Sequence, residues 1–330
     1  MKNILLLLML IVGKVGYAQS YHFSQFFSTP LLTNPAHTGF TEGPFRIASN
    51  FRSQGTASGS TIFSGYVSAD FSLLRNKLQN GHKAGIGMYM MNDHSVAGAM
   101  QSNSVGVSAA YNVALDTYGE HSIGLGFQGV YQQRRFDYSK LDFENQYGPG
   151  GFDESLPVGE PLNYDSRHSF DVNAGIMYNV LLPDKSFFIG GSVYNILSRN
   201  DNVLPSNFKM PMRFTLQTGG RLFIGEYGNV YASFTSMYQN GATELTLGGA
   251  YGQQLTDGGS NELMGGMWYR FKDAVIPYLG YKQEGFQVGL SYDYTLSSLK
   301  SAPSLGNSFE LTLLYNAKDK RELKTLIPWY

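Results

Sequence analysis

The sequence predicts an all-β fold: a transmembrane outer-membrane β-barrel of about 14 antiparallel strands. Segment after segment alternates apolar with small or polar residues at a period of two, the pattern of a strand with two different faces. These segments run over about ten residues, the length that a tilted strand needs to cross a bilayer. Charged residues make up only 15% of the chain, against about 25% in an ordinary soluble domain. Together with 39 glycines, this low charge disfavours a helix-rich cytoplasmic protein.

The amino terminus has the pattern of a secretory signal peptide. Lys2 precedes the apolar run "ILLLLMLIVG", and Gly16 and Ala18 are the small residues before a predicted cut ahead of Gln19. A single membrane anchor is the alternative reading. The run is shorter than the roughly 20 apolar residues of a spanning helix, however, and Lys14 interrupts it. We expect residues 1–18 to be a signal peptide, so that the mature chain leaves the cytoplasm.

Three segments show the strand pattern clearly, at 104–115, 169–180 and 286–296. In the first, Val105, Val107 and Val113 share a face, while Ser104, Ser108 and Asn112 share the other. An apolar outward face and a polar inward face are what a closed barrel in lipid requires. The predicted strands lie near 43–53, 61–72, 83–92, 102–115, 121–135, 168–180, 186–197, 211–224, 229–239, 242–251, 261–272, 275–283, 285–296 and 307–316.

An even number of strands places both ends of the barrel on the periplasmic side, where the turns are usually short. The short links at 116–119, 182–185 and 225–228 and the long one at 136–167 fit this rule, whereas the inner turn at 252–261 is long and the outer one at 272–274 is short. The expected organisation is a periplasmic amino-terminal segment at 19–42, a barrel at 43–316 with a long external loop at 136–167, and a periplasmic tail at 317–330.

Side chains near the strand ends and on the inward faces suit a barrel. Charged inward side chains would be costly on the lipid face, about 2 to 4 kcal/mol for Arg at the midplane. Tyrosines suit the aromatic girdles at the two water interfaces, although β-propensity also enriches aromatics in strands. The predicted girdle contains Tyr89, Tyr131, Tyr178, Tyr251, Tyr269 and Tyr315. The predicted inward charges are Arg134, Arg213, Arg221, Arg270, Asp171, Asp293, Glu244 and Glu310.

The sequence predicts no enzymatic site, no cofactor and no metal. With no Cys, thiolate ligands, a thiol nucleophile and disulfides are excluded. No pair among the six histidines has the spacing of metal ligands. His168 and Ser169 are adjacent, but neighbours on a strand point to opposite faces. The formal net charge of −1 provides no excess of positive charge for binding a nucleic-acid backbone.

Several segments have sequences that the requirements of a generic barrel do not explain. They are "FSQFFSTPLLTNPAHTGF" at 23–40, the loop "RRFDYSKLDFENQYGPGGFDESLPVGEP" at 134–161, "FDVNAGIMYN" at 170–179, "LMGGMWYRFKDAVIPYLGY" at 263–281 and "GLSYDYTLSSL" at 289–299. In this order, over nearly all of the mature chain, they resemble the PorP/SprF family. That family comprises outer-membrane proteins of the type IX secretion system and gliding apparatus of Bacteroidetes.

The resemblance implies a non-enzymatic barrel that supports export or surface anchoring of large adhesins carrying the system's carboxy-terminal sorting domain. It also implies periplasmic ring and lipoprotein components as partners, besides the lipid of the outer membrane. Our hypothesis is that the external loop and the polar lumen hold the sorting domain while the termini dock on the machinery. Candidate client residues are Phe143, Tyr147, Phe152, Asp153 and Glu154, since loops on a rigid scaffold are usual recognition sites. Candidate docking residues are Asn34, Pro35, Trp329 and Tyr330, because the tail "LIPWY" is an apolar cluster.

A transporter of small hydrophobic molecules, similar to the fatty-acid porin family, is the alternative. "TNPAHTG" at 33–39 resembles the amino-terminal Asn-Pro-Ala hatch of that family. Such a transporter needs a plugged lumen with an apolar path, and the predicted inward faces are polar. A general porin is a third possibility.

Overall fold

The fold is a closed antiparallel barrel of fourteen strands, as the alternation predicts. The computed structural model describes residues 23–55, 62–74, 78, 81–95, 98–137, 140–157, 159, 165–197, 200–201, 208–256, 261–297 and 306–318. Each strand pairs with its neighbours in the chain, and β1 closes the barrel by pairing with β14, so that Asn50 lies opposite Thr312. The strands are β1 Phe45–Gln54, β2 Ile62–Leu73, β3 Lys83–Ser95, β4 Met100–Ala114, β5 His121–Phe136, β6 Asp165–Leu181, β7 Lys185–Tyr194, β8 Arg213–Ile224, β9 Gly228–Gln239, β10 Ala242–Gln254, β11 Asn261–Arg270, β12 Ala274–Gln283, β13 Phe286–Thr295 and β14 Ser308–Asn316.

The two faces of each strand differ as expected for a barrel in lipid. In β4, Val107 and Val113 are exposed on the outside, whereas Ser108 and Asn112 are buried inside. The same alternation gives the barrel an apolar outer surface and a polar interior. Because closure pairs every strand on both sides, the backbone polar groups of the wall are satisfied without water. The protein is therefore an outer-membrane barrel.

The lengths of the connections orient the barrel in the membrane. The long connections 137–164 and 195–212 leave one end, and the short turns 182–184, 225–227 and 284–285 leave the other. Outer-membrane barrels have short periplasmic turns and longer external loops. By this rule we infer that both ends of the barrel chain, at Phe45 and Asn316, lie on the periplasmic side, and the opposite end is called external below.

Among the predicted girdle tyrosines, Tyr89 is a wrong assignment. Tyr131, Tyr251 and Tyr315 are exposed on the outer face, but Tyr89 is buried and points into the lumen. The reason is the period of β3: Met88 and Met90 are exposed, so the residue between them must face inward. There the ring of Tyr89 lies 6.0 Å from that of Tyr66.

The described part of the segment before β1 is not periplasmic, which corrects the prediction for residues 23–42. Residues 23–43, called the plug below, are folded inside the lumen, and most of their side chains are buried. The plug contains three short helical turns, at Phe26–Ser28, Pro30–Thr33 and Pro35–His37. Its side chains make hydrogen bonds and packing contacts with strands around the barrel wall. A segment extending into the periplasm would lack these contacts. The plug therefore packs inside the barrel and occupies much of its lumen.

The predicted signal peptide, residues 1–18, lies outside the described residues, as does most of the predicted tail. Of that tail only Ala317 and Lys318 are described, and the Ala317 N–H donates to the carbonyl of Phe45 at 3.0 Å. Within the described residues, no helix has the length and apolar character needed to cross a membrane.

Candidate functional site

The outer end of the plug is fixed by buried charges. The backbone N–H groups of Ser24 and Gln25 donate to the Glu310 carboxylate at 2.7 and 3.0 Å, and the Ser24 hydroxyl donates to Asp293 at 2.6 Å. Arg52 pairs with Glu310 at 3.0 Å, and Arg270 pairs with Asp293 at 2.8 Å. All four charged side chains come from the external ends of their strands. They bring the start of the plug to the external end of the lumen.

The inner end of the plug is fixed by one fully buried ion pair. Arg46 of β1 donates to Asp70 of β2 through Nε at 2.9 Å and through Nη2 at 2.8 Å. Asp70 also accepts the backbone N–H of Gly39 at 2.7 Å, and Arg46 donates to the carbonyl of His37 at 3.1 Å. Both charged side chains have zero exposure. The wall therefore satisfies polar groups of the plug that would otherwise be buried without partners.

Between these two anchors, Asn34, Pro35 and Ala36 dock against glycines of the wall. The Asn34 side chain accepts the N–H of Ala36 at 2.9 Å and donates to the carbonyl of Ile176 at 3.1 Å. A Cβ on Gly175 would lie 1.9 Å from the Asn34 side-chain oxygen, and one on Gly126 would lie 2.3 Å from the backbone of Pro35. The backbone of the plug reaches the wall because these inward positions carry no side chain.

Replacing Gly175 by Ala is therefore expected to lower the free energy of unfolding by about 1 to 3 kcal/mol, the usual cost of overpacking. The added methyl must displace an amide that two hydrogen bonds hold in place. Thermal unfolding of the purified barrel in detergent measures the change. Gly265→Ala is the matched control, since a Cβ there meets no heavy atom within 4 Å. Equal unfolding temperatures for the two variants would contradict the docking.

Aromatic packing completes the closure of the lumen. The Phe27 ring lies 4.8 Å from that of Trp268 and 5.6 Å from that of Tyr278. On the opposite side Phe23 packs near Tyr66, with the ring centroids 6.2 Å apart. The interior is thus more apolar than the sequence predicts, because aromatic side chains of the wall surround those of the plug.

One part of the lumen stays open above the plug, at the external end. This outer vestibule is a cavity of about 400 Å³ between Leu32 of the plug and the external ends of β1–β8. It combines charged, amide and methionine side chains. Its lining includes Arg52, Gln54, Tyr89, Met91, Asp93, Met100, Gln132, Arg134, Asp171, Tyr194, Met210 and Arg213.

The long external loop carries the predicted client residues, and the structure brings two of them together. Tyr147–Gly148 and Gly151–Phe152 form a small antiparallel ribbon, in which the Tyr147 and Phe152 rings lie 5.3 Å apart. Their side chains are 59% and 44% exposed, so the pair faces solvent.

The other three predicted client residues are separate from that pair. Phe143 is half-buried at the start of a short helical turn, and its N–H donates to the Gln146 side chain at 3.1 Å. Glu154 is exposed. Asp153 accepts the hydroxyl of Ser155 at 2.6 Å and its N–H at 2.9 Å, and both hydrogen bonds lower the pKa of the carboxyl. Asp153 therefore presents a carboxylate at neutral pH.

The structure describes only two of the four predicted docking residues. Asn34 and Pro35 are buried in the lumen and face the wall, so the prediction that they contact periplasmic machinery is wrong for this structure. The cause is the contacts with Gly126 and Gly175, which hold them inside. Trp329 and Tyr330 lie outside the described residues. Among the described residues, no cluster of three or more His, Asp or Glu side chains could hold a metal ion.

Fold and interior together define the class of the protein: a plugged outer-membrane β-barrel with an outward-facing vestibule. The chain belongs to the PorP/SprF family, described as type IX secretion system membrane proteins, whose model matches residues 15–315. No curated protein matches the sequence.

Among solved structures, similar barrels include the toluene transporter TbuX of Ralstonia pickettii, with 10% identity, a TM-score of 0.48, and coverage of 87% of this chain and 92% of that one. The toluene transporter TodX of Pseudomonas putida has 8% identity, a TM-score of 0.47, and coverage of 91% and 94%. A FadL homologue of Pseudomonas aeruginosa has 10% identity, a TM-score of 0.45, and coverage of 86% and 98%.

Proposed function

We propose that the protein is a non-enzymatic partner of exported proteins, supporting the export or surface anchoring of large adhesins through their carboxy-terminal sorting domain. Family membership supports a role in type IX secretion. The observation that carries the proposal further is the plug. Since residues 23–43 occupy the lumen, the exported protein meets this barrel at its external face and does not pass through it.

The earlier hypothesis that the lumen holds a folded sorting domain is therefore abandoned. The plug runs through the lumen from the Glu310 anchor to the Asp70 anchor, and the outer vestibule of about 400 Å³ is far smaller than a folded domain. The external loop stays the candidate for client contact. Tyr147 and Phe152 form an exposed aromatic pair, and aromatic side chains are enriched among the residues that dominate binding at protein interfaces.

Periplasmic ring and lipoprotein components are the proposed partners on the other side of the membrane. Three turns at that end, 182–184, 225–227 and 284–285, have only two or three residues, and Asn34 and Pro35 are buried. Docking in the periplasm is therefore assigned to the carboxy-terminal residues after Asn316.

Deleting residues 142–160 is expected to abolish surface display of the adhesin while leaving the barrel inserted. The double substitution Tyr147→Ala and Phe152→Ala is the finer test, expected to lower display by about tenfold or more, since a central aromatic contact contributes about 2 kcal/mol. Display is measured by protease shaving of intact cells and mass spectrometry.

Tyr118→Ala is the control for removal of an exposed aromatic ring. Tyr118 is 86% exposed in the periplasmic turn after β4, and its loss is expected to leave display unchanged. Normal display after the loop deletion would rule out the loop as the client site.

A transporter of small hydrophobic molecules is the second candidate, and one observation favours it. The plug contains Asn34, Pro35 and Ala36 inside the lumen, where the hatch of such a transporter would lie. Against it, charged Arg and Asp side chains lie among the apolar residues of the vestibule, and an apolar ligand there would take water from these charges without replacing its hydrogen bonds. Uptake of a labelled fatty acid that depends on this barrel would favour the transporter.

A further inference from the structure

Arg213 differs from the other arginines that the wall buries at the external end of the lumen. Its residue is 9% exposed, it lines the outer vestibule, and no carboxylate of the described residues lies within 4.0 Å of its guanidinium. By contrast, Arg52 pairs with Glu310 at 3.0 Å and Arg270 with Asp293 at 2.8 Å. Buried charges in proteins are normally paired. In contrast to Arg52 and Arg270 at the same end, Arg213 has no such pair among the described residues.

The surroundings of Arg213 hold its guanidinium in place without neutralising it. The guanidinium carbon lies 4.1 Å from the centroid of the Tyr194 ring, and Nη2 donates a long hydrogen bond of 3.4 Å to the Leu32 carbonyl of the plug. Its Nε is buried and has no hydrogen-bond partner among the described residues. A guanidinium stacked on an aromatic ring, with donors unused on its edge, is preorganised for a carboxylate.

The rest of the vestibule fits a peptide better than a small organic acid. Its volume of about 400 Å³ lies in the usual range for ligand sites, between about 300 and 1,000 Å³. Amide side chains such as Gln54 and Gln132 can hydrogen-bond a backbone, and the three methionines Met91, Met100 and Met210 supply adaptable apolar contacts. The site opens at the same end as the exposed aromatic loop.

We propose that the outer vestibule binds an extended peptide segment of an external partner, whose carboxylate pairs with Arg213. This rests on the proposed function and deepens it, since it assigns to the client a segment whose carboxylate lies beside the plug. The aromatic pair Tyr147 and Phe152 then contacts the same partner outside the vestibule.

The test uses the purified full-length barrel in detergent, so it does not depend on knowing the client. The probes are two pools of acetylated random tetrapeptides that contain no acidic side chains. The pools are identical except at the carboxy terminus, which is a free carboxylate in one pool and an amide in the other. Native mass spectrometry measures the peptides retained. We expect retention from the carboxylate pool, at least about tenfold above the amide pool, which is the discrimination expected when an ion pair of about 1.4 kcal/mol is lost.

Arg213→Gln is expected to remove this preference, and Arg213→Lys to retain part of it, because Lys keeps the charge without the planar fork. Arg135→Gln is the matched control, since Arg135 is an exposed arginine on β5 that does not line the cavity. The carboxylate preference should survive in that variant. Each variant is first checked for its folded barrel by its resistance to detergent unfolding.

Three results would overturn the proposal: equal retention of the two pools by the wild type, an unchanged preference in a folded Arg213→Gln barrel, or displacement of the peptides by equimolar acetate. The last would show that any small carboxylate suffices. Because these measurements involve no secretion, they distinguish failure of this site from failure of the proposed function. If the barrel retains the peptides, but cells that lack the barrel still display the adhesin, only the proposed function is contradicted.

Discussion

Deletion of residues 23–42 is expected to convert an electrically silent barrel into one that conducts ions in discrete steps. The wild-type lumen is closed by the plug, anchored through Ser24 to Glu310 and through Gly39 to Asp70. Without it, the polar inward face of a fourteen-stranded wall would surround water. Barrels of comparable and larger size with an empty polar interior are aqueous channels. Planar-bilayer recordings of both proteins at equal concentration measure the difference.

A folded barrel must be demonstrated for the deletion variant before the recordings are interpreted, by circular dichroism and by its heat-dependent migration in gels. As a second approach, Glu310→Gln in the full-length chain weakens only the outer anchor and should give brief, infrequent openings. A folded deletion variant that conducts no ions would contradict the claim that the plug closes the lumen. Steady conductance by the wild type would do so equally, and would favour a porin.

Replacing Asp70 by Ala is expected to lower the free energy of unfolding by about 3 to 5 kcal/mol, the usual cost of removing one partner of a buried ion pair. Arg46 would keep a buried positive charge without its carboxylate, and the N–H of Gly39 would lose its acceptor. Asp70→Asn should cost less, because an amide oxygen can still accept one of these hydrogen bonds.

Unfolding in guanidinium, followed by tryptophan fluorescence, measures this loss. Trp268 packs against Phe27 of the plug, and a Trp329→Phe background leaves it as the single reporter. Glu226→Ala, in the exposed turn after β8, is the control and should stay within about 0.5 kcal/mol of wild type. Equal stability for Asp70→Ala and Glu226→Ala would show that the buried pair does not anchor the plug.

The barrel wall could be predicted because each strand carries its own local signal. Alternation along 104–115 fixes which side chains face lipid, and neighbouring strands follow in chain order. The inward placement of Arg270, Asp293 and Glu310 follows from the same period. Tyr89 was misassigned by its position near a strand end, although the exposed neighbours Met88 and Met90 fix its direction.

The plug could not be predicted in the same way, because its contacts join residues far apart in the sequence. Ser24 binds Glu310, and Asn34 reaches the carbonyl of Ile176. Locally, its prolines indicate only turns and extended chain. One signal was available in principle: glycines at inward positions of neighbouring strands, Gly126 and Gly175, which often mark a place where another backbone approaches closely.

The vestibule was missed for a related reason. Arg213 was correctly placed on an inward face, but the sequence contains no sign of which inward charges find partners. That depends on the register between strands and on where the plug lies. Arg52 and Arg270 meet carboxylates across the lumen, whereas Arg213 meets Tyr194 and the Leu32 carbonyl.

The most direct measurement of the proposed function is a mild-detergent pull-down of the tagged protein from its native outer membrane, with mass spectrometry of what co-purifies. We expect a large adhesin with a type IX sorting domain, lost from the pull-down of the Tyr147→Ala and Phe152→Ala variant and retained with Tyr118→Ala. Recovery of ring and lipoprotein components alone would indicate a core part of the machine and not an adhesin partner. A barrel recovered alone would contradict the proposed function and favour the transporter.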